Sequence, residues 1–376
     1  MRTPIPRAAL RPALQELSPD IGSRPDVPIY LDWNESRWPL PESLTRKMTE
    51  AVTSVDPRPY PDRSYPAVRE ALGRLAGWDP EGIAFGNGGD DMLALIGVAA
   101  TGPGRTGIYP SPGFSMYPWA IRRAGARPAP VPLGEDLAYD VDGLIARIGE
   151  EQPSLVFLTS PHNPTGQQLP LDEIRRIAEA APGFLLVDEA YHEFSEFTAR
   201  PLLDEFGNVI LLRTFSKAMA LAGGRLGYLL GAPEAILSIR RAQPPFPVGI
   251  YTCRAGAAAM NERAALFELT ARIVAERDSL RKRLADIPGI RVWPSQTNFL
   301  LFHTPADSTV LARRLLARGV ALRDFSRHPM LAGTLRVTVG TPEENEVFLG
   351  ALRDSLAAPI LPEELAGVGA AASPVA

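Results

Sequence analysis

Val209-Ile-Leu-Leu-Arg-Thr-Phe-Ser-Lys-Ala-Met-Ala-Leu-Ala-Gly-Gly-Arg-Leu-Gly-Tyr228 opens as a nearly continuous apolar run and breaks into small residues around Lys217. An apolar run of this length, bounded by glycines, predicts a buried strand that ends just before the lysine. Lysine is rare here: the chain has three, Lys47, Lys217 and Lys282, while the other positive charges are arginines. Lys47 and Lys282 lie in polar helix-like stretches, but Lys217 enters a run with no other acid or base before Arg225. A primary amine can condense with an aldehyde to form a Schiff base, whereas guanidinium stays protonated and unreactive. Lys217 is therefore a candidate reactive group at the end of a strand.

The pattern repeats on both sides of that stretch. Apolar strands are predicted at 82–85, 106–109, 154–159, 183–187, 208–213 and 226–230, with helices at about 65–76, 90–101 and 171–181. Such strands, separated by helix-length segments, predict an α/β fold with a mostly parallel sheet covered on both faces. After Pro244-Pro-Phe-Pro247 a long amphipathic helix is expected over about 252–285. Short strands near 290–302 and 334–339, with helices near 308–318 and 343–356, predict a smaller α+β unit. The expected organisation is an N-terminal arm over 1–45, a large domain over 46–255, a small domain over 256–360 and a flexible tail over 361–376. No internal repeat is present.

Composition narrows the function classes. A chain of 376 residues exceeds what one core usually serves, so two domains sharing a cleft are expected. The formal net charge of -4 gives no basic footprint for nucleic acid. No run of about 18 apolar residues predicts a membrane span, and the first residues lack the apolar centre of a signal peptide. The single cysteine, Cys253, excludes an internal disulfide and reads as a small buried hydrophobe in a reducing compartment. Cytoplasmic residence is the expectation, and no metal is expected.

The candidate chemistry lies beyond the carboxyl ends of the predicted strands, where open α/β sheets place ligands. Strand 154–159 leads into Ser160-Pro-His-Asn-Pro-Thr-Gly166, strand 183–187 into Asp188-Glu-Ala-Tyr191, and strand 208–213 into Ser216-Lys217, with Arg225 following. Each fragment alone is a common turn or cap. Their joint occurrence in this order resembles the pyridoxal-phosphate-dependent enzymes of the aspartate aminotransferase fold (fold type I, with a seven-stranded large-domain sheet), and most closely the histidinol-phosphate aminotransferase family. The resemblance covers roughly residues 28–355.

That resemblance implies roles. Lys217 would hold pyridoxal 5'-phosphate as a Schiff base and shuttle a proton. Asp188 would keep the pyridine nitrogen protonated, so that the ring acts as an electron sink. Asn163 and Tyr191 would hydrogen-bond the ring oxygen. Phe114, in Ser111-Pro-Gly-Phe114, would stack on the ring; the bland alternative is a core aromatic. Gly86-Asn-Gly-Gly-Asp-Asp91 leads from a strand through a glycine turn into a helix, which points N–H groups at an anion. The family match puts the cofactor phosphate at Gly89 and Asp90, with Ser216 and Arg225 adding a hydroxyl and a guanidinium. Tyr60, in Arg58-Pro-Tyr-Pro-Asp62, matches a tyrosine that reaches the phosphate from the other subunit, which implies a homodimer with shared sites.

Substrate recognition is expected from Arg336, matching the fold's α-carboxylate arginine, and from Arg323, matching a second arginine for a phosphate ester. Trp33 and Asn34, in Trp33-Asn-Glu-Ser-Arg-Trp38, are expected at the pocket, although the two tryptophans equally suit packing of the arm. The family's arm tyrosine is missing from the corresponding Glu16-Leu-Ser-Pro-Asp20. The resemblance implies a ping-pong aminotransferase, with a small-molecule amino donor and a 2-oxo acid acceptor such as 2-oxoglutarate. Three alternatives stay open: an amino acid aminotransferase of a specialised pathway, a phospho-amino-acid decarboxylase, and a regulatory domain. The last would need a DNA-binding extension and a basic face, which the first 30 residues are not expected to supply.

Overall fold

The structure, a computed structural model, describes residues 24–62, 65–195 and 197–359, together with residues 14, 361 and 364. The arm stretch Glu16–Asp20 lies outside the described residues, as does the tail from 361 apart from Leu361 and Glu364. Thirteen strands are described, numbered here in chain order: β1 Ile29–Tyr30, β2 Ile83–Gly86, β3 Thr106–Ser111, β4 Arg127–Pro132, β5 Leu155–Thr159, β6 Phe184–Asp188, β7 Val209–Thr214, β8 Gly227–Leu230, β9 Arg291–Val292, β10 Phe299–His303, β11 Val320–Ala321, β12 Arg323–Asp324 and β13 Thr334–Thr338.

Seven strands form one sheet in the order β2-β8-β7-β6-β5-β3-β4. Only β8 runs against the rest, so the sheet is mostly parallel, as the apolar runs predicted. Alternate residues supply two separate cores: Val156, Leu158, Val187, Val209 and Leu211 on one face, Leu155, Phe157, Leu186, Ile210 and Leu212 on the other. That is why these strands are apolar throughout rather than alternating. A four-stranded antiparallel sheet, β12-β13-β10-β9, has its own core of Leu300, Phe302, Leu335, Val337 and Phe348. The parallel pair β1-β11 ties the segment before residue 40 to this second unit.

The structure differs from the sequence expectation in two places. Strand β4, Arg127-Pro-Ala-Pro-Val-Pro132, is absent from the predicted strands because every second residue is proline. It is an edge strand, and its ladder with β3 uses Arg127 and Leu133 as donors, so the prolines put their missing N–H groups on the open side. The long helix expected over 252–285 is instead two, Ile250–Asn261 and Arg263–Ala285, broken at Glu262. Cys253, Ala259, Met260 and Leu266 pack into the core of the large sheet, while Leu280 and Leu284 pack into that of the small one. After the break the second helix runs from the core of the large sheet, at Leu266, to that of the small one, at Leu280 and Leu284.

Candidate active site

Strands β5, β6 and β7 are neighbours, and each releases a candidate residue at its carboxyl end. Asp188, the last residue of β6, is buried at 4% exposure. Its Oδ2 accepts a hydrogen bond from the Tyr117 hydroxyl at 2.8 Å, and its Oδ1 accepts from the Ala190 N–H at 3.0 Å. Burial pushes its carboxyl up to about 6, the two hydrogen bonds oppose this, and Asp90 and Glu189 add repulsion. Among the described residues Asp188 forms no ion pair, although a buried carboxylate calls for one.

Next to it, Glu189 and Arg213 form a buried ion pair at 2.9 Å. Glu189 also accepts from the Thr198 hydroxyl and the Ala199 N–H, both at 2.6 Å. This pair bridges the chain just beyond β6 to β7, so it braces the two strand ends that carry Asp188 and Lys217.

Lys217 is half-buried, and its Nζ donates to the Trp33 carbonyl at 2.8 Å. The amine lies 5.9 Å from the centre of the Tyr191 ring. Burial, then the charge of Arg336, lowers its pKa to about 8. A substantial fraction of the amine is therefore neutral and nucleophilic near physiological pH. The Tyr191 hydroxyl, pushed up to about 12 by burial, accepts from Asn34 Nδ2 at 2.9 Å. Asn34 is itself buried in a left-handed conformation (φ 57) and tied to Thr338 of β13 and to Asn298.

The turn after β5 holds Asn163 rigidly. His162 is fully buried and kept neutral by that burial, with its Nδ1 2.9 Å from the Thr165 hydroxyl. Gly166 has a φ of +77, and a Cβ there would lie 2.5 Å from Ser295 Oγ, so no side chain fits. Asn163 Oδ1 accepts from Arg336 Nη1 at 2.5 Å.

Arg336, on β13, also donates from Nη2 to the Asp32 carbonyl at 2.7 Å and lies over Phe299 and Phe325 at 5.0 and 5.3 Å. Burial lowers its pKa to about 10, and among the described residues its Nε has no hydrogen-bond partner. Arg323 is its cross-strand partner on β12. Burial lowers the Arg323 pKa as well. Two desolvated guanidiniums side by side make a receptor for an anionic group.

The glycine turn and helix start are also formed. Helix Gly89–Ala100 begins with Gly89 and Asp90 in its first turn. The preceding Gly88 has a φ of +88, and a Cβ there would lie 2.3 Å from Arg225 Nη2. Arg225 lies 3.8 Å from Asp90. Ser216 is buried, its hydroxyl accepting from Thr214 Oγ1 at 3.0 Å. Phe114 is half-buried and meets Tyr117 edge-on at 5.7 Å.

Tyr60 stands apart from this constellation. It is 81% exposed and stacks on Phe246 at 4.6 Å. Trp33 is 45% exposed, with Arg24 over its ring at 4.5 Å. Sequence reasoning missed Tyr117, whose hydroxyl also lies 2.6 Å from Thr159 Oγ1, and the Glu189–Arg213 pair. The spacing of Tyr117, three residues after Phe114, carried a weak helical signal for the first. The pair showed only as an acid next to Asp188 and an arginine inside an apolar strand.

These residues fit pyridoxal phosphate. Among the described residues Asp188 has no ion-pair partner where a pyridine N–H⁺ would supply one, Lys217 is a depressed amine, and a helix N-terminus with Arg225 and Ser216 suits a phosphate. The comparisons agree. The family model for aminotransferase class I and II matches residues 28–352. The histidinol-phosphate aminotransferase of Thermoanaerobacter pseudethanolicus is 38% identical over 326 residues, 87% of this chain and 92% of the relative. Histidinol-phosphate aminotransferase 1 of Ralstonia nicotianae is 37% identical over 338 residues, 87% and 89% of the two chains. The crystal structure of the Sinorhizobium meliloti histidinol-phosphate aminotransferase with pyridoxal-5'-phosphate matches with a TM-score of 0.85 at 27% identity, covering 94% of this chain and 99% of that one. L-threonine-O-3-phosphate decarboxylase from Porphyromonas gingivalis, at 22% identity and a TM-score of 0.75, shares the fold. With the lysine, the aspartate and the anion cradle assembled at the strand ends, and matched over most of its length, this chain belongs to the class I and II aminotransferases and is a pyridoxal-phosphate-dependent transaminase.

Proposed function

We propose that the amino donor is histidinol phosphate and the acceptor 2-oxoglutarate. The observation that carries this reading is the Arg323–Arg336 pair on adjacent strands, with Arg336 Nε still unpartnered among the described residues. A phosphate ester or a second carboxylate suits two desolvated guanidiniums. The names of the relatives at 37–38% identity point the same way.

Pyridoxal phosphate, when bound, supplies an electron sink for the pair released as the substrate Cα–H bond breaks. Lys217 would hold the cofactor through its amine, and its Nζ would take and return the proton at the substrate Cα. Asp188 would hold the pyridine N–H, Asn163 and Tyr191 the ring oxygen, and Phe114 a ring face. Gly89, Asp90, Ser216 and Arg225 hold the phosphate. Arg336 grips the acceptor's α-carboxylate, and Asn34 and Trp33 border the substrate.

The enzyme is further proposed to be a cytoplasmic homodimer in which Tyr60 reaches the partner's cofactor phosphate; its exposure supports this. Among the described residues no helix is long and apolar enough to cross a membrane. A large unit to about 255 and a small unit to about 360 complete the proposal, supported by their separate cores.

The test is single-turnover spectroscopy of the holoenzyme with histidinol phosphate, phenylalanine, arginine and glutamate. Histidinol phosphate and glutamate should react fastest. A negligible rate with histidinol phosphate overturns the donor, favours an amino acid donor of a specialised pathway, and leaves the transaminase assignment intact.

A further inference from the structure

Strand β2 is the edge of the seven-stranded sheet opposite β4. Beside it lies a cavity of about 190 Å³ lined by Tyr65, Arg69, Phe85, Arg240, Gln243 and the proline turn that follows. Gln243 Nε2 donates to the Phe85 carbonyl at 2.8 Å, closing part of the edge. Arg69 comes from helix Pro66–Ala76 and is 8% exposed, yet among the described residues its Nε has no hydrogen-bond partner. Its Nη1 reaches the Glu81 carboxylate only at 3.4 Å, and the Glu81 side chain is 70% exposed. Such a contact offsets little of the cost of burying a guanidinium.

The environment of Arg69 is short of negative charge. Burial lowers its pKa, Arg240 lowers it further, and Glu81 only partly opposes them. Arg240 ends helix Pro233–Arg240, so arginines from two different helices line one small cavity. A planar guanidinium pairs best with a group that offers two anionic oxygens.

We propose that this cavity binds a small oxyanion, a phosphate or carboxylate group held between Arg69 and Arg240, separate from the transamination site and independent of what that site transaminates. The bound group would also brace the Pro244–Pro247 turn, whose Phe246 stacks on Tyr60.

The test uses holoenzyme, so that the cofactor cradle is filled, in a zwitterionic buffer at constant ionic strength. Thermal midpoints are followed against inorganic phosphate and, separately, succinate, for wild type, Arg240→Gln and Arg69→Gln. Wild type should show a saturable rise with one or both anions, and the stronger arm identifies the ligand chemistry. Arg240→Gln should bind about tenfold more weakly, the scale of one charge-assisted hydrogen bond, with turnover in anion-free buffer unchanged. Arg69→Gln should lose the response. The cofactor cradle and the substrate arginines are intact in all three proteins, so they set only a common background. Equal responses in wild type and Arg240→Gln overturn the proposal even if Arg69→Gln fails to fold. A weakened dimer in Arg240→Gln without any anion response overturns it in favour of a contact between subunits.

Discussion

The proposed cofactor half of the site and its proposed substrate half are built on different principles. Asp188, Asn163, Lys217 and Gly89 follow the carboxyl ends of four strands of one sheet, each within a few residues of a buried β-ladder. Arg323 and Arg336 come instead from a short antiparallel sheet, and Asp32, Trp33 and Asn34 from an extended segment docked against it. The Asn34 N–H reaches Thr338 across 304 positions of sequence. The first arrangement is held by local connections within a continuous core. The second depends on one thin segment seating correctly, and that is where donor specificity can change without disturbing the chemistry.

The strongest way to break the cofactor half is Lys217→Ala. Removing the only amine at the site should cost turnover by about four orders of magnitude, the upper range for a positioned acid–base group. Borohydride reduction followed by peptide mapping should place the cofactor on Lys217; label on Lys47 or Lys282, or none, sinks the assignment. The pKa of about 8 adds a pH test. Reconstitution of the cofactor-free enzyme should speed up as pH rises through about 8, because the amine loses its proton there.

Arg336→Ala tests the substrate half at its base. It should damage both half-reactions by several hundredfold, since breaking a buried ionic contact costs about 3–5 kcal/mol. A loss confined to one half-reaction would mean that another group holds the acceptor carboxylate.

Asp188→Asn should act in opposite directions on activity and on stability. Turnover should fall roughly a hundredfold, because a neutral hydrogen bond to the pyridine is weaker by about 1.5–3 kcal/mol. In the cofactor-free protein the raised pKa means that ionising Asp188 is unfavourable in the folded state. Stability is therefore lost as pH rises from the unfolded value near 3.8 through about 6. Above pH 6 the variant should be more stable than wild type by about 2–3 kcal/mol, the equivalent of that shift. Equal denaturant midpoints at pH 7 would show that the carboxylate has a compensating partner.

Smaller effects sharpen the contrast. Arg323→Ala should impair histidinol phosphate about tenfold more than glutamate, and equal loss would remove its selective role. Tyr60→Phe should fold normally, because the ring is exposed, and should weaken cofactor retention only several-fold, the worth of about one hydrogen bond. Mixing Tyr60→Phe with Lys217→Ala should restore retention and turnover at one site of each heterodimer; no recovery refutes shared sites.

Most of the cofactor half was legible in the chain because its signals are local. An apolar run, a turn and a polar residue after it report a strand end within ten residues, as at Phe184–Tyr191 and Val209–Lys217. The substrate half was legible only through resemblance, since nothing near Arg323 shows that it faces Arg336. Local patterns also misread β4, where prolines hid an edge strand, and the helix at Glu262, where the apolar periodicity continues across the break.

The sequence by itself determined the alternation of strands and helices, the mostly parallel sheet and the polar residues released at its edge, because periodicity and turn chemistry act over a few residues. Only the tertiary structure decided that Tyr117 would meet Asp188, that the Trp33 carbonyl would meet Lys217, that Arg213 would find Glu189 and that Arg69 would lie buried beside a cavity. Those outcomes depend on which surfaces lose water together, and desolvation is set by packing between segments far apart in the chain.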